Sequence, residues 1–282
     1  MRVIKRYAGS VVKSLFIAAI VSASITDFAI AEDDAAVYAF PDRWMVRVGA
    51  YFINHADSSF SINSDIGGLG TNIDFDKTLG GEDRATIPRL DAYYRFNHRH
   101  RIDLTIFSVD RTGTRTVAFD PPLQIGDETF SGETVNSELK YTLYKVGYVY
   151  SFYHSPKVEL GVAAGLNITS YDLKIETASG GKVETADTTL PLPVFGLHMG
   201  YAITPKWYVH YLAETFFVEV NNSFKGGVYN YGVTTEYKLF KHLALGGGFA
   251  RIGMQADVDK DNWRGGISDA YSGFLLFGTL YF

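Results

Sequence analysis

The stretch Ser272-Gly-Phe-Leu-Leu-Phe-Gly-Thr-Leu-Tyr-Phe282, at the carboxyl end of the chain, decides the fold. Side chains of a β-strand point alternately to two faces, so the positions of one face recur every second residue. Counted back from the end, one face carries only apolar residues and a glycine: Phe282, Leu280, Gly278, Leu276 and Phe274. The other face is mixed and includes Tyr281 and Thr279. This pattern predicts a strand with one face against hydrocarbon and the other towards a partly polar interior.

The composition supports a barrel over a bundle of membrane helices. The 282 residues include no Cys, 28 Gly, 19 Tyr and 20 Phe, and the mean hydropathy is close to zero. Several spans of about 20 apolar residues would make the mean hydropathy clearly positive. A barrel hides its apolar content by alternation, and Tyr, Phe and Gly suit its strands and aromatic girdles. The absence of Cys fits export through an oxidising compartment.

The amino-terminal residues have the pattern of a secretory signal. A basic region, which comprises Arg2, Lys5, Arg6 and Lys13, precedes the apolar run Leu15-Phe-Ile-Ala-Ala-Ile-Val21. Ala29-Ile-Ala31 then offers small residues for cleavage. The alternative is a membrane anchor, but the apolar run is shorter than the about 20 residues that a span needs. We therefore predict a cleaved signal peptide at 1–31, a short periplasmic leader at 32–42 and an outer-membrane barrel at 43–282.

Cleavage also sets the charge of the exported protein. It removes four basic residues and Asp27, which changes the formal charge from −5 to −8. Nucleic-acid binding depends on positive charge, so this balance argues against a nucleic-acid partner.

Alternating segments recur along the rest of the chain. Their positions predict an all-β, transmembrane, antiparallel up-and-down barrel of ten strands, with eight or twelve as alternatives. The predicted strands are 44–52, 89–96, 102–107, 144–152, 158–168, 195–203, 207–214, 230–239, 243–249 and 272–282. An even count puts both ends of the chain on one side. A soluble β-sandwich is disfavoured because its outer faces rarely present five successive apolar residues.

The connections are of two predicted kinds. Short turns lie near 97–100, 153–157, 204–206 and 240–242, and we assign them to the periplasmic side. Longer polar connections lie near 54–83, 119–135, 172–190, 221–227 and 258–269, and we assign them to the extracellular side.

Details of strand pairing are also predicted. Placing Phe96 opposite Ile102 aligns the apolar faces of the second and third strands, and it sets Arg95 opposite Asp103 as an ion pair. The alternation blurs beyond Arg251, where we predict a β-bulge.

Charged residues within the strands should point inward, because a charge on the lipid face costs about 2–4 kcal/mol near the midplane. The predicted polar network of the lumen is Arg89, Asp91, Arg95, Asp103, Lys145, Glu159, His198, His210, Glu214 and Glu236. We interpret it as salt-bridged filler, with selective permeation as the alternative. If Glu214 and Glu236 face each other, Glu236→Gln should leave thermal stability unchanged or raise it.

The predicted signal peptide, the short periplasmic turns and the aromatic end of the chain together resemble small bacterial outer-membrane β-barrels of the OmpA and OmpW type. The resemblance implies a Gram-negative outer membrane, with lipid and lipopolysaccharide around a protein that we expect to be a monomer. It also implies that the barrel-assembly machinery reads Phe282, Leu280, Leu276 and Phe274 as an assembly signal. The chain departs from OmpA-like proteins because it lacks a soluble periplasmic domain and has two more predicted strands than their eight.

Catalytic and metal-binding patterns are weak. The chain lacks the Asp-x-His element of omptin-type proteases, and the adjacent His154 and Ser155 lie in a predicted periplasmic turn. The segment 257–262 resembles half of a calcium loop, but Asn262 and Ser268 stand where Gly and Glu are needed. We predict no enzyme activity, no cofactor and no metal.

The sequence therefore predicts one main function and two alternatives. The first is a structural or surface-interaction role through the extracellular loops, with a polar lumen largely filled by side chains. The alternative is a narrow, porin-like channel for small or hydrophobic solutes. An outer-membrane enzyme is the second alternative.

Overall fold

The computed structural model of the chain describes residues 43–63, 71–117, 123–125, 128–220, 224–260 and 263–282. The predicted signal peptide and leader, residues 1–42, lie outside the described residues. Among those described, no helix is both long and apolar enough to cross a membrane.

The described residues form thirteen strands and one short helix. The strands are β1 (Trp44–Asn63), β2 (Thr71–Asp74), β3 (Ala85–Arg95), β4 (His100–Val117), β5 (Leu123–Ile125), β6 (Glu128–Phe130), β7 (Glu133–His154), β8 (Val158–Thr177), β9 (Val183–Thr204), β10 (Trp207–Val220), β11 (Phe224–Lys238), β12 (Leu243–Lys260) and β13 (Trp263–Tyr281). The helix α1 (Phe75–Leu79) follows β2 directly.

Ten of these strands form a closed barrel, as the sequence predicts. The order β1, β3, β4 and then β7 to β13 is antiparallel throughout, and β13 pairs with β1 from Met45–Tyr281 to Asn63–Arg264. Closure leaves no unpaired edge around the middle of the barrel. The strand β2 adds to β1 at one end, and β5 and β6 form a separate hairpin.

The two ends of the barrel differ. At the end we call lower, short turns join β3 to β4, β7 to β8, β9 to β10 and β11 to β12, at the predicted places. At the opposite, upper end, β7, β8 and β9 have 22, 20 and 22 residues and extend well beyond the predicted strands. The predicted long connections near 172–190 and 258–269 are therefore mostly strand. These polar segments continue to pair as strands although the apolar alternation has ended.

The register of β3 and β4 differs from the prediction by two residues. Tyr94 lies opposite Ile102, and Arg95 lies opposite Arg101, so the predicted Arg95–Asp103 pair is wrong. The turn is tighter than expected because the Asn97 side chain holds it together. Its Oδ1 accepts hydrogen bonds from the backbone N–H groups of Arg99 (2.9 Å) and His100 (3.1 Å). A shift of two keeps every side chain on its predicted face.

The bulge predicted beyond Arg251 is absent. The pairing of β12 with β13 is continuous from Leu243–Leu280 to Lys260–Trp263. The alternation blurs because its phase reverses: Leu245 and Phe249 face outward in the lower part, whereas Ile252 and Met254 face inward above them. The barrel thus has an apolar outside with a polar inside below, and the reverse above.

The outer surface of the lower part is an apolar band. Large apolar side chains are exposed here on nine of the ten barrel strands, and at Phe96 directly after β3. Val48 and Leu276 are 60% and 64% exposed. On β1 the band runs from Trp44 to Phe52, which agrees with the height of about 25 Å that is typical of transmembrane barrels. A continuous apolar surface of this size marks a face that contacts a membrane or another protein.

Candidate functional site

The lower part of the lumen holds five ion pairs, which we call the ionic layer. The pairs are Arg47–Glu236 (2.9 Å), Arg89–Asp91 (3.0 Å), Arg95–Glu159 (2.7 Å), Arg101–Asp103 (2.7 Å) and Lys145–Glu214. Five cations therefore balance five carboxylates. Pairing of this kind offsets the cost of burying each charge.

Local and distant contacts both build this layer. Arg89 and Arg101 each bind the Asp two residues later on the same strand face. Arg95 instead reaches Glu159, 64 residues away, through two hydrogen bonds of 2.7 and 3.0 Å. The layer surrounds a cavity of about 150 Å³, whose lining includes most of these ten residues.

Glu236 and Glu214 are both buried, but they do not face each other. Glu214 lies opposite Asn230, and Glu236 lies opposite Tyr208, so the predicted facing pair is wrong. Four side chains contact Glu236: Arg47, His210 (3.2 Å), Thr279 (3.1 Å) and Tyr281. Lys145, His198 and Asn230 contact Glu214. The two carboxylates thus have separate sets of partners.

His198 links two ion pairs in a fixed orientation. Its Nδ1 lies 2.9 Å from an Arg101 nitrogen, and its Nε2 lies 3.1 Å from a Glu214 oxygen. Arg can only donate, so we assign Nδ1 as the acceptor and Nε2–H as the donor to Glu214.

The upper part of the lumen is filled by apolar side chains, which we call the apolar layer. Members from the strands include Leu139, Tyr141, Leu143, Tyr171 and Leu173, all buried. The segment Thr71–Gly81, which we call the cap segment, adds Ile73, Phe75 and Leu79, none of which is exposed. The predicted description of a polar lumen is therefore correct only for the lower part.

Local sequence explains the shape of the cap segment. The Asp74 carboxylate accepts a hydrogen bond from the Lys77 backbone N–H (2.9 Å) and so caps the first turn of α1. The helix ends at Gly80, whose φ of 71° suits glycine.

Arg111 joins the cap segment to the barrel wall. Its fully buried guanidinium donates to the Glu82 carbonyl (2.6 Å), to Ser58 Oγ (2.6 Å) and to Asp76. It also lies 5.1 Å from the centre of the Phe75 ring. One side chain of β4 thus binds three parts of the chain that meet at the upper end.

Asp269 continues this cluster above the apolar band. Its carboxylate accepts hydrogen bonds from Ser58 Oγ (2.6 Å) and Tyr171 (3.1 Å). Burial raises the pKa of Asp269 to about 6, although these hydrogen bonds and the charge of Arg111 act in the opposite direction. This carboxyl is therefore poised to titrate near neutral pH.

The ten residues predicted for the lumen all lie on the inner side, and the structure brings them together in one layer. Arg47 and Arg101 also belong to this layer, and Arg111 and Asp269 lie above it, but none of these four was predicted from the sequence. The reversed alternation in β12 was the available signal for an apolar upper lumen. The predicted assembly residues Phe274, Leu276, Leu280 and Phe282 face outward, with exposures of 44–64%.

No catalytic or metal centre emerges from the described part of the chain. His154 and Ser155 lie at the lower turn of β7 and β8, and His154 approaches Glu159 at 3.9 Å. Within the described ranges, no three His, Asp or Glu residues are grouped to hold a metal ion. The calcium-like segment includes 261–262, which are outside those ranges.

The fold defines a class: the closed, ten-stranded antiparallel barrels found among outer-membrane proteins. The chain is similar to the outer-membrane protease OmpT from Escherichia coli, with a TM-score of 0.53, 9% identity and coverage of 86% of this chain and 98% of that one. This likeness shows the fold alone.

Two further solved structures match less well. OprG from Pseudomonas aeruginosa has a TM-score of 0.40 and 12% identity, with 87% and 99% of the two chains covered. Ail, the attachment invasion locus protein of Yersinia pestis, has a TM-score of 0.32 and 12% identity, with 84% and 99% covered. No family model and no curated protein matches the chain.

Proposed function

We propose that the chain is an integral outer-membrane protein with a closed lumen, which acts as a structural element and as a surface for interactions outside the cell. The apolar band supports insertion in a membrane, and the barrel type supports the outer membrane. The lower end then faces the periplasm and the upper end the outside. Lipid and lipopolysaccharide surround a monomer that the barrel-assembly machinery inserts.

The observation that carries this proposal is the filling of the lumen at two levels. An ion that crosses the ionic layer must separate charges that already have partners. Above it, the apolar layer offers no polar group to replace the hydration shell of that ion. The cavity of about 150 Å³ favours the alternative, a narrow channel, but the apolar layer lies between it and the upper end.

Planar-bilayer recordings of refolded protein test the closed lumen. We expect no discrete openings at either polarity, with a sixteen-stranded porin as the conducting control. Discrete openings would overturn the closed lumen and favour the channel.

We also propose that the protein has no enzyme activity and that it resides in the outer membrane. We expect purified protein to release no fatty acid from phospholipid or lipopolysaccharide, and turnover above that of a heat-denatured sample would contradict this. Cell fractionation should recover the protein in the outer membrane.

A further inference from the structure

Above the apolar band the barrel wall continues as two groups of paired strands: β1 with β11, β12 and β13, and a four-stranded sheet with two edges. We call it the protruding sheet; it consists of the upper parts of β4, β7, β8 and β9. The edge formed by β4 is covered by the chain around the cap segment. Gly81 forms a bridge with Gly113, and the Glu82 N–H donates to the Thr112 carbonyl (3.1 Å).

The opposite edge, formed by β9, has no such cover among the described residues. The pairing of β10 with β9 begins at Phe195–Thr215 and runs only downward from there. In the same register Val220, the last residue of β10, is level with Leu190. The segment Val183–Thr189 therefore stands above the end of β10 with one side paired to β8.

The direction of each backbone group on this edge follows from one hydrogen bond. The Thr177 N–H donates to the Lys182 carbonyl (3.0 Å), so Lys182 belongs to a hydrogen-bonded pair with β8. Hydrogen-bonded pairs alternate in an antiparallel ladder. Even-numbered residues of β9 therefore bond to β8, and odd-numbered residues direct their N–H and C=O groups to the open side. These are Val183, Thr185, Asp187 and Thr189.

Two prolines separate this edge from the barrel below. Pro191 and Pro193 occupy the same open-side positions and have no N–H to donate. They leave the ladder to β8 intact but disfavour an upward extension of the pairing with β10. The edge is thus kept available over seven residues, or about 23 Å.

The charges near the β9 edge indicate which residues a strand paired to this edge would carry. On the outer face, Lys140 of β7, Asp172 of β8 and Asp187 of β9 lie in one cross-strand row, and all three are exposed. The row reads positive, negative, negative, so two like charges are adjacent, which is unfavourable. A cation on the next strand would lie beside Asp187. Residues 183–190 contain no Lys or Arg, so the same edge of a second copy cannot supply it.

We propose that the β9 edge, Val183–Thr189, binds an extended peptide that adds a strand to the protruding sheet, with a Lys or Arg beside Asp187. Backbone hydrogen bonds to the four odd-numbered residues give the affinity, and the cation sets the register. The partner is a protein segment with β-branched residues and a central basic residue. This inference rests on the proposed function and names the partner class of its outer surface.

Fluorescence anisotropy with a designed peptide tests the inference. The probe is fluorescein-labelled Thr-Val-Thr-Lys-Thr-Val-Thr with blocked ends, whose palindromic sequence suits either strand direction. We expect saturable binding to the refolded barrel. The same peptide with Glu in place of Lys should bind several-fold more weakly.

Variants of the edge separate strand addition from adsorption. Thr185→Pro removes one open-side N–H without touching the ladder to β8, and we expect about three- to tenfold weaker binding. Thr185→Ala keeps the N–H and should bind as the wild type does. Asp187→Lys should reverse the preference between the Lys and Glu peptides, which decides the matter if Thr185→Pro fails to fold.

Each outcome bears on a distinct claim. If the Lys peptide binds equally to the wild type, Thr185→Pro and Asp187→Lys, or does not bind at all, the inference about the β9 edge is wrong. The closed lumen would still be supported if the bilayer recordings show no openings. Dimers in sedimentation that Thr185→Pro abolishes would replace the peptide with a second copy and also overturn the inference. Discrete channel openings would overturn the proposed function independently of the peptide result.

Discussion

At the scale of single residues, Glu236 is the carboxylate with the most partners in the ionic layer. Glu236→Gln removes the charge that balances the buried Arg47. We therefore expect the free energy of unfolding to fall by about 3 kcal/mol, contrary to the expectation for two facing carboxylates. Guanidinium unfolding in detergent measures the change. The exposed Glu138→Gln serves as control, and an unchanged or higher stability of Glu236→Gln would contradict the structure.

Asp269 gives stability a pH dependence. Burial raises the pKa of its carboxyl from 3.8 to about 6, so the folded state binds this proton more tightly than the unfolded chain. The contribution of this group to stability therefore rises as the pH falls from about 7 to about 4, by about 3 kcal/mol in all. Asp269→Asn should be more stable than the wild type at pH 8 and similar to it at pH 4. Parallel pH profiles for the two proteins would refute this.

The sequence predicted which side of the barrel wall each strand residue faces, but it did not predict most of the ion pairs between side chains. Alternation placed Arg95 and Glu159 inside the barrel, because period two fixes the face of every strand residue. Their contact joins strands that are not neighbours, across the curvature of a closed wall. Nothing local in the sequence encodes that distance. The i, i+2 pairs such as Arg89–Asp91 were accessible to local reasoning and were overlooked.

At the scale of elements, the cap segment depends on Arg111. Arg111→Ala leaves Asp76 and the Glu82 carbonyl without their buried donor, so we expect the cap to open more readily, by about 3–5 kcal/mol. Hydrogen exchange at the amides of Phe75–Leu79 measures this opening. Arg115→Ala is the matched control, because its exposed guanidinium also binds the segment, at the Lys77 carbonyl. Equal rates of amide hydrogen exchange in the two variants would show that Arg111 contributes no more than Arg115 to holding the cap segment.

The closing strand carries a prediction about assembly. Phe282 is 59% exposed, and its backbone exchanges two hydrogen bonds of 2.9 Å with Trp44 at the seam of β13 and β1. Deletion of Phe282 should lower the amount of protein in the outer membrane. Phe240→Ala, at another exposed aromatic residue of the same end, should leave that amount unchanged. Wild-type levels after the deletion would refute the assembly signal.

The number of barrel strands could be predicted from the sequence, but the lengths of the strands could not. Ten segments were visible because each crosses the apolar band, where one face must be apolar. Above the band, residues such as Thr185 and Thr189 have no burial requirement on either face, so the pattern disappears while the strand continues. The cap segment was hidden for the opposite reason: Ile73, Phe75 and Leu79 lie within a stretch whose polar residues suggested only a loop.

At the scale of the whole molecule, the ionic and apolar layers block the lumen one after the other. We expect replacement of Lys145 and Glu214 by Ala to leave the barrel silent in planar bilayers, since the apolar layer persists. Replacement of the cap segment by a Gly-Ser linker should also leave it silent, since the ionic layer persists. The combined variant weakens both layers, so it is the one of the three in which we expect any conductance to appear. Conductance in either variant alone would show that the layer left intact does not suffice to hold the lumen shut.

The orientation of His198 has a consequence for protons as well as ions. A proton relay needs groups that accept a proton on one side and release one on the other. Arg101 can only donate to Nδ1, which holds the one proton of the ring at Nε2, and Glu214 on the other side is bound by Lys145. Proton transfer through Arg101, His198 and Glu214 would require the imidazole ring to turn and two ion pairs to separate. The side chains that pack the lower lumen thus make it a poor proton wire.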